Sequence, residues 1–171
     1  FPAVDAVLRT SQAKLFMLCH PHNPTGRVWN EDELWQIALL AEKHDLVMCS
    51  DEIHNGLVLS PHHRHRLFAA LGPEIAARTI TLMAPSKTYN VPGLGTSMAI
   101  IPDPTLRAKF VRAGAGVMAE VNAFGYTACE VAYRDCEPWR QALLKTLREE
   151  LAATRETLER YLQERKKSTG V

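Results

Sequence analysis

The sequence predicts an α/β fold, a three-layer sandwich with a mostly parallel sheet covered by helices on both faces and one long helix at the C-terminal end. Three observations lead there. Short apolar runs of strand length alternate with amphipathic helical stretches. Most strand-to-strand spacings leave room for a crossover helix, as parallel pairing requires. From residue 137 onward, leucines recur at helical spacing without a break. The 171 residues are 46% hydrophobic and 23% charged, with a formal net charge of +1, which suits a domain that buries roughly 70% of its unfolded surface.

The first expected strand is KLFMLC at 14–19, an apolar run between polar and proline-rich flanks. A helix should follow. Asn30 can cap it, Glu33 completes a capping box, and Leu34, Ile37, Ala38 and Ala41 form its apolar face. LVMCS at 46–50 is the second strand; a loop rich in His and Arg and a short helix near 73–77 lead to the third, TITLMA at 79–84. TSMAII at 96–101 is the fourth. Only about a dozen residues separate it from the third, too few for a crossover helix, so this pair is expected to be antiparallel. Asp103 as N-cap, Pro104 at the first helical position and Gly114 as stop signal bound the next helix, and 119–134 is expected to be helical too. Trp139, Leu143, Leu147, Leu151, Leu158 and Leu162 then mark a helix to about residue 167, about 45 Å long at 1.5 Å per residue.

The near-neutral charge offers nucleic acid no footprint, and the basic run Arg165, Lys166, Lys167 reads as a solvated helix terminus. No apolar run approaches the roughly 20 residues that span a bilayer, and no secretory signal is visible. Cys19, Cys49, Cys129 and Cys136 form no C-x-x-C pair and are expected to be reduced, mostly buried thiols in a cytoplasmic protein. The chain opens on Phe1 and stops just after the long amphipathic segment, so it is expected to be a piece of a larger protein.

Open parallel sheets bind ligands beyond the carboxyl ends of their strands. Three such ends carry unusual polar residues: Asn23 in CHPHNPTG, Asp51 in SDEIHNG and Lys87 in APSKTYN. Each has an ordinary reading. NPTG suits a tight turn, SDE a helix cap or solvated charge, and a lone lysine the surface. Spacings of 28 and 36 residues match successive strand–helix–strand units, however, and should bring all three to one edge. There they form a coherent set for pyridoxal 5′-phosphate. A desolvated amine condenses with an aldehyde, a carboxylate keeps a pyridine nitrogen protonated, an amide bonds the phenolate oxygen, and Ser86 could bond the phosphate.

NPTGRVW, SDEIH and APSKTYNVPGL closely resemble the motifs of the class I/II aminotransferase superfamily of fold-type I pyridoxal phosphate enzymes. Within it, SDEIH and APSKTYN look most like the MalY/PatB-type cystathionine β-lyases, or C–S lyases. The resemblance covers essentially the whole chain. It implies that 1–136 is the C-terminal part of the cofactor-binding large domain and that 137–171 is an interdomain helix leading to a small domain. It implies that Lys87 holds the cofactor and moves the proton at the substrate's α-carbon. Asp51 would pair with the pyridine nitrogen, Asn23 with O3′ and Ser86 with the phosphate. His54 stands where many aminotransferases have a tyrosine near O3′. The activity implied is β-elimination from a small amino-acid substrate such as cystathionine, giving a thiol, pyruvate and ammonia, in a homodimer. Transamination shares the first steps and remains the alternative. A catalytically incomplete structural or dimerisation piece is a third reading.

Some features depart from the pattern. Aspartate-type aminotransferases carry a phosphate-binding arginine eight residues beyond the lysine, where this chain has Gly95. The family's phosphate loop and ring-stacking aromatic lie upstream of Phe1, and its substrate-carboxylate arginine lies in the small domain, so this chain alone is expected to be inactive. His62, His63 and His65 are near-contiguous and lack carboxylate or cysteine partners, so no metal is assigned; the resemblance makes their stretch a surface loop. His20 and His22 flank the Asn23 turn, where they either line the pocket or serve local packing. GLG at 93–95 is too short for a dinucleotide fingerprint.

Overall fold

The computed structural model describes residues 1–169. In chain order the elements are α1 (Pro2–Thr10), β1 (Leu15–Cys19), α2 (Glu31–Lys43), β2 (Val47–Asp51), α3 (Pro73–Ala77), β3 (Thr79–Met83), α4 (Pro85–Thr88), β4 (Met98–Ile100), α5 (Pro104–Gly114), α6 (Ala123–Asp135) and α7 (Glu137–Thr169). Single 3-10 turns lie at Asn55–Leu57, Phe68–Leu71 and Pro92–Leu94. The sheet runs β1-β2-β3-β4, with the first two pairings parallel and β3–β4 antiparallel, as the connection lengths require.

The expected capping box starts α2. Glu33 N donates to Asn30 Oδ1 at 2.9 Å, and Asn30 N donates to Glu33 Oε2 at 3.0 Å, a cap contributing about 1 kcal/mol. Leu34, Ile37, Ala38 and Ala41 are buried against Leu18, Met48, Phe68 and Leu71. Leu34 is fully buried there, so its truncation to alanine should cost about 2–5 kcal/mol.

Register explains which side chains meet α2. Phe16 pairs with Met48 and Leu18 with Ser50, and these continue to Thr79 and Thr81 on the same face. Cys19, Asp51 and Leu82 point to the opposite face. That face is met over β3 and β4 by Phe110 of α5 and by Met118 and Val121. Helices therefore flank both faces. On that face of β1, Leu15 and Met17 are exposed, Met17 to 72%.

Several local expectations change. α1 and α4 carry too little pattern to be read from sequence. A nine-residue helix is marginal alone, and α1 is held by Asp5, whose carboxyl accepts from Arg9, Lys43 and His44 at 2.7–2.9 Å. Those hydrogen bonds, Lys43 first, keep Asp5 well below the usual carboxylate range. Residues 119–122 are not helical; α6 begins after Asn122, whose side chain accepts from Gly125 N at 2.9 Å. Gly114 ends α5 from inside the helix, with Ala115 as C-cap. Of the four cysteines, all free, only Cys49 is buried and the other three are half-buried.

The first half of α7 packs along the turn after β2. Arg140 Nη1 donates to the Gly56 carbonyl and Arg148 Nε to the Leu59 carbonyl, each at 2.8 Å, and Leu144 is buried. Farther on, Leu158, Tyr161 and Leu162 are exposed. The side chains of 166–169, including two of the expected basic terminus, lie outside the described ones.

Candidate functional site

The parallel register puts the three motifs on one edge. Cys19, Asp51 and Leu82 are aligned across the sheet. Beyond them His20 N donates to the Asp51 carbonyl and Glu52 N to the Leu82 carbonyl, each at 2.9 Å, carrying the ladder one residue past the strands. Asn23 follows β1 by four residues, Asp51 closes β2, and Lys87 follows β3 by four residues.

Asn23 sits in a closed turn. His22 N donates to the Arg27 carbonyl at 2.8 Å, Gly26 N donates back to the His22 carbonyl at 2.7 Å, and Asn23 N reaches Cys19 Sγ at 3.4 Å. The His20–Pro21 and Asn23–Pro24 bonds are cis. The Asn23 side chain is exposed and bonds no described residue. With His22, His54, Leu57 and His63 it lines a cleft of about 720 Å³.

Asp51 lines a second cleft of about 670 Å³ with Ile53, Leu82, Ala84, Ala99 and Phe110. Its Oδ1 accepts from Ile53 N at 3.2 Å, and its other oxygen takes no hydrogen bond from a described residue. Burial, and secondarily the charge of Asp51, pushes the Cys49 thiol up, so that sulfur stays protonated and inert.

Lys87 and Ser86 ride on α4 and line neither cleft; Lys87 is exposed and Ser86 half-buried. Pro85 starts this one-turn helix, and Tyr89 N donates to the Pro85 carbonyl at 2.8 Å. Thr88 fixes the helix against the turn after β2. A Cβ on Gly56 would lie 2.5 Å from Thr88 Cγ2, so only glycine permits this approach. The structure thus joins Asn23 to His54 in one cleft, keeps Asp51 in another, and holds the lysine-bearing turn against the turn of His54.

Gly95, the departure noted above, has φ 60° and ψ 37° and caps the 3-10 turn at Pro92–Leu94. The left-handed conformation favours glycine there over arginine.

The sequence reading missed Glu52. It is fully buried, and its carboxyl accepts from His65 at 2.6 Å. His65, expected on a surface loop, has a side chain only 10% exposed. A signal existed: with period-2 alternation, Met48, Ser50 and Glu52 share the face packed on α2. Among the described residues, no group of three or more His, Cys, Asp or Glu could hold a metal ion.

Residues 1–170 match the family Aminotransferase class I and II. The chain belongs to that family. Cystathionine beta-lyase PatB of Bacillus subtilis is 41% identical over 148 residues, covering 84% of this chain and 37% of that protein. The crystal structure of OvoB superposes with a TM-score of 0.83 at 44% identity, covering 91% of this chain and 40% of that one. Cystalysin from Treponema denticola, whose structure contains a pyridoxal 5′-phosphate cofactor, gives 0.87 at 34% identity, covering 92% and 40%. This aminotransferase-family chain therefore spans about two fifths of the length of these relatives. None of its described helices is long and apolar enough to cross a membrane.

Proposed function

We propose that the intact protein is a cytoplasmic, homodimeric pyridoxal phosphate-dependent C–S β-lyase. Residues 1–136 would belong to its cofactor-binding large domain, and 137–171 would form the helix leading to its small domain. The observation that carries the reading is the placement of Asn23, Asp51 and Lys87 at the carboxyl ends of three adjacent strands. The resemblance to a protein named cystathionine beta-lyase gives it direction. The side chains also suit the cofactor. Asp51 offers an unspent carboxyl oxygen at the wall of an apolar cleft, a fitting counter-charge for a protonated heteroaromatic nitrogen.

When bound, the cofactor supplies the electron sink for the charge left at the substrate's α-carbon. Lys87 Nζ is the group that would attach the aldehyde and then take the α-proton. Asp51 would hold the proton on the ring nitrogen. Asn23 would orient the ring through O3′, with His54 beside it in the same cleft, and Ser86 would bond the phosphate. The net reaction consumes a β-thioether amino acid and water and yields a thiol, pyruvate and ammonia.

Borohydride reduction of the full-length protein with pyridoxal phosphate, followed by peptide mapping, tests the site. A single adduct on Lys87 is expected, and none in Lys87→Ala, which should also lose at least the 10²–10⁴-fold of a positioned proton-transfer group. Label scattered over other lysines would refute the assignment. Pyruvate formed from cystathionine without added keto acid tests the reaction. Strict keto-acid dependence would favour the aminotransferase reading, which the family's own name keeps in view.

A further inference from the structure

We propose that Glu52 is a positioning residue. Through His65 and His20 it holds the turn that carries Asn23 in fixed relation to the strand end that carries Asp51. The inference rests on the cofactor reading above.

Glu52 follows Asp51 but points the other way, onto the α2 face. A fully buried glutamate needs every bond it can make. Oε1 accepts from Ser50 Oγ at 2.8 Å and from Phe68 N at 3.0 Å, and Oε2 accepts from His65 Nε2 at 2.6 Å. His65 lies against His20, with ring centroids 4.3 Å apart at 33°. His65 Nδ1 is buried and finds no partner among the described residues, so among them Glu52 anchors that ring by a hydrogen bond. His20, also fully buried, uses both nitrogens. Trp29 N lies 3.4 Å from Nδ1 as donor, which leaves Nε2–H to donate to the Arg66 carbonyl at 3.1 Å. Burial lowers its pKa to about 4, which keeps this neutral tautomer at neutral pH.

His20 and Trp29 stand at the two ends of the loop whose tip is Asn23. Trp29 Nε1 also donates to the Cys19 carbonyl at 3.2 Å, closing the base of the loop. The contacts therefore run in series from the β2 end, through Glu52, His65 and His20, to the base of the Asn23 loop. Replacing a buried charged pair by apolar residues of similar volume often costs no stability. Polar groups fix orientation as well as volume, and here that orientation is imposed between two residues assigned to one cofactor ring.

The test uses the full-length protein, three single variants of the contact, and Asn23→Ala with and without the Glu52 change. Glu52→Met and His65→Phe remove the contact, whereas His65→Gln keeps an amide N–H where the imidazole N–H stood. Pyridoxal phosphate dissociation constants come from titrating the apoprotein and following the bound-cofactor absorbance; melting temperatures are measured on the same apoproteins. Glu52→Met and His65→Phe should each weaken cofactor binding about tenfold, the low end for outer-shell groups around metal sites, and His65→Gln less than about threefold. Adding Asn23→Ala to Glu52→Met should cost much less than in the wild type, because both act through the same ring contact. Unchanged dissociation constants with lowered melting temperatures would overturn the inference, as would additive losses. Should Glu52→Met fail to fold, the two His65 variants decide. If wild type is labelled on Lys87 and the variants bind like it, only this inference falls. If wild type is not labelled, the cofactor reading falls first.

Discussion

Replacing Gly56 by alanine should loosen the joint between the turn after β2 and the lysine-bearing helix. The added Cβ would sit 2.5 Å from Thr88 Cγ2 and 2.6 Å from Oγ1, where ordinary contact begins at 3.4 Å. One side must therefore move by nearly an ångström. Neither is free to. Asn55 N donates to the Glu52 carbonyl and Leu57 N to the His54 carbonyl, each at 3.0 Å, while Arg140 holds the Gly56 carbonyl. Thr88 is 2% exposed. Overpacking of this kind costs about 1–3 kcal/mol, and the entropy lost from the unfolded chain returns about 0.4–1. The net loss should be about 1.5 kcal/mol, or roughly 3–6 °C in melting temperature for a chain of this size. Thermal and urea unfolding of Gly56→Ala, Thr88→Ala and the double variant measure it. Thr88 Oγ1 is buried without a partner among the described residues, so Thr88→Ala alone should cost less than about 1 kcal/mol. The double variant should regain at least half of the Gly56→Ala loss. A Gly56→Ala protein within about 0.5 kcal/mol of wild type, or an equal loss in the Thr88→Ala background, would refute the steric account.

Two pH effects follow from the same region. His20, packed against His65 and bonded to the Arg66 carbonyl, has its pKa lowered from 6.5 to about 4, chiefly by burial. The unfolded chain thus binds the extra proton between those values, and stability should fall by about 2 kcal/mol from pH 7 to pH 5 on this account. Urea midpoints at the two pH values should show a smaller fall in His20→Gln; equal falls would refute it. Glu137 is lowered from 4.5 to about 2 by hydrogen bonds from Arg140 and Gln141, so its small contribution is present above pH 4.5 and lost as the pH falls through 2. Melting curves should show Glu137→Gln below wild type at pH 7 and level with it near pH 2, and a gap independent of pH would count against the pairing.

The strand ends were legible because each motif breaks a rule where it stands. An amide in an Asn-Pro turn, a carboxylate closing an apolar strand and an amine after another ask for a common explanation, and period and crossover length bring them to one edge. The capping box of α2 and the antiparallel β4 were legible for local reasons. Other features were not. α4 is a single turn that packs through Thr88 on Gly56, a contact between residues 32 apart. α1 depends on Lys43 and His44 reaching Asp5. Glu52 was overlooked because residue type suggested solvent; only alternation from Met48 through Ser50 turns it inward. His65, assigned to a surface loop, is drawn inside by that same carboxyl.

The long helix α7 has a mechanical consequence. Arg140 and Arg148 grip carbonyls of Gly56 and Leu59, and Leu151 borders the cleft that also holds Asn23 and His54. Beyond Leu151 the helix runs on to Thr169, an arm of about 27 Å at 1.5 Å per residue. Pivoting at its gripped end by about 10° would sweep the tip through about 5 Å while shifting the fulcrum far less. The fulcrum is the turn that Gly56 seats against the lysine-bearing helix. Displacement at the far end of α7 would therefore reach the candidate site as torque on two arginine–carbonyl contacts.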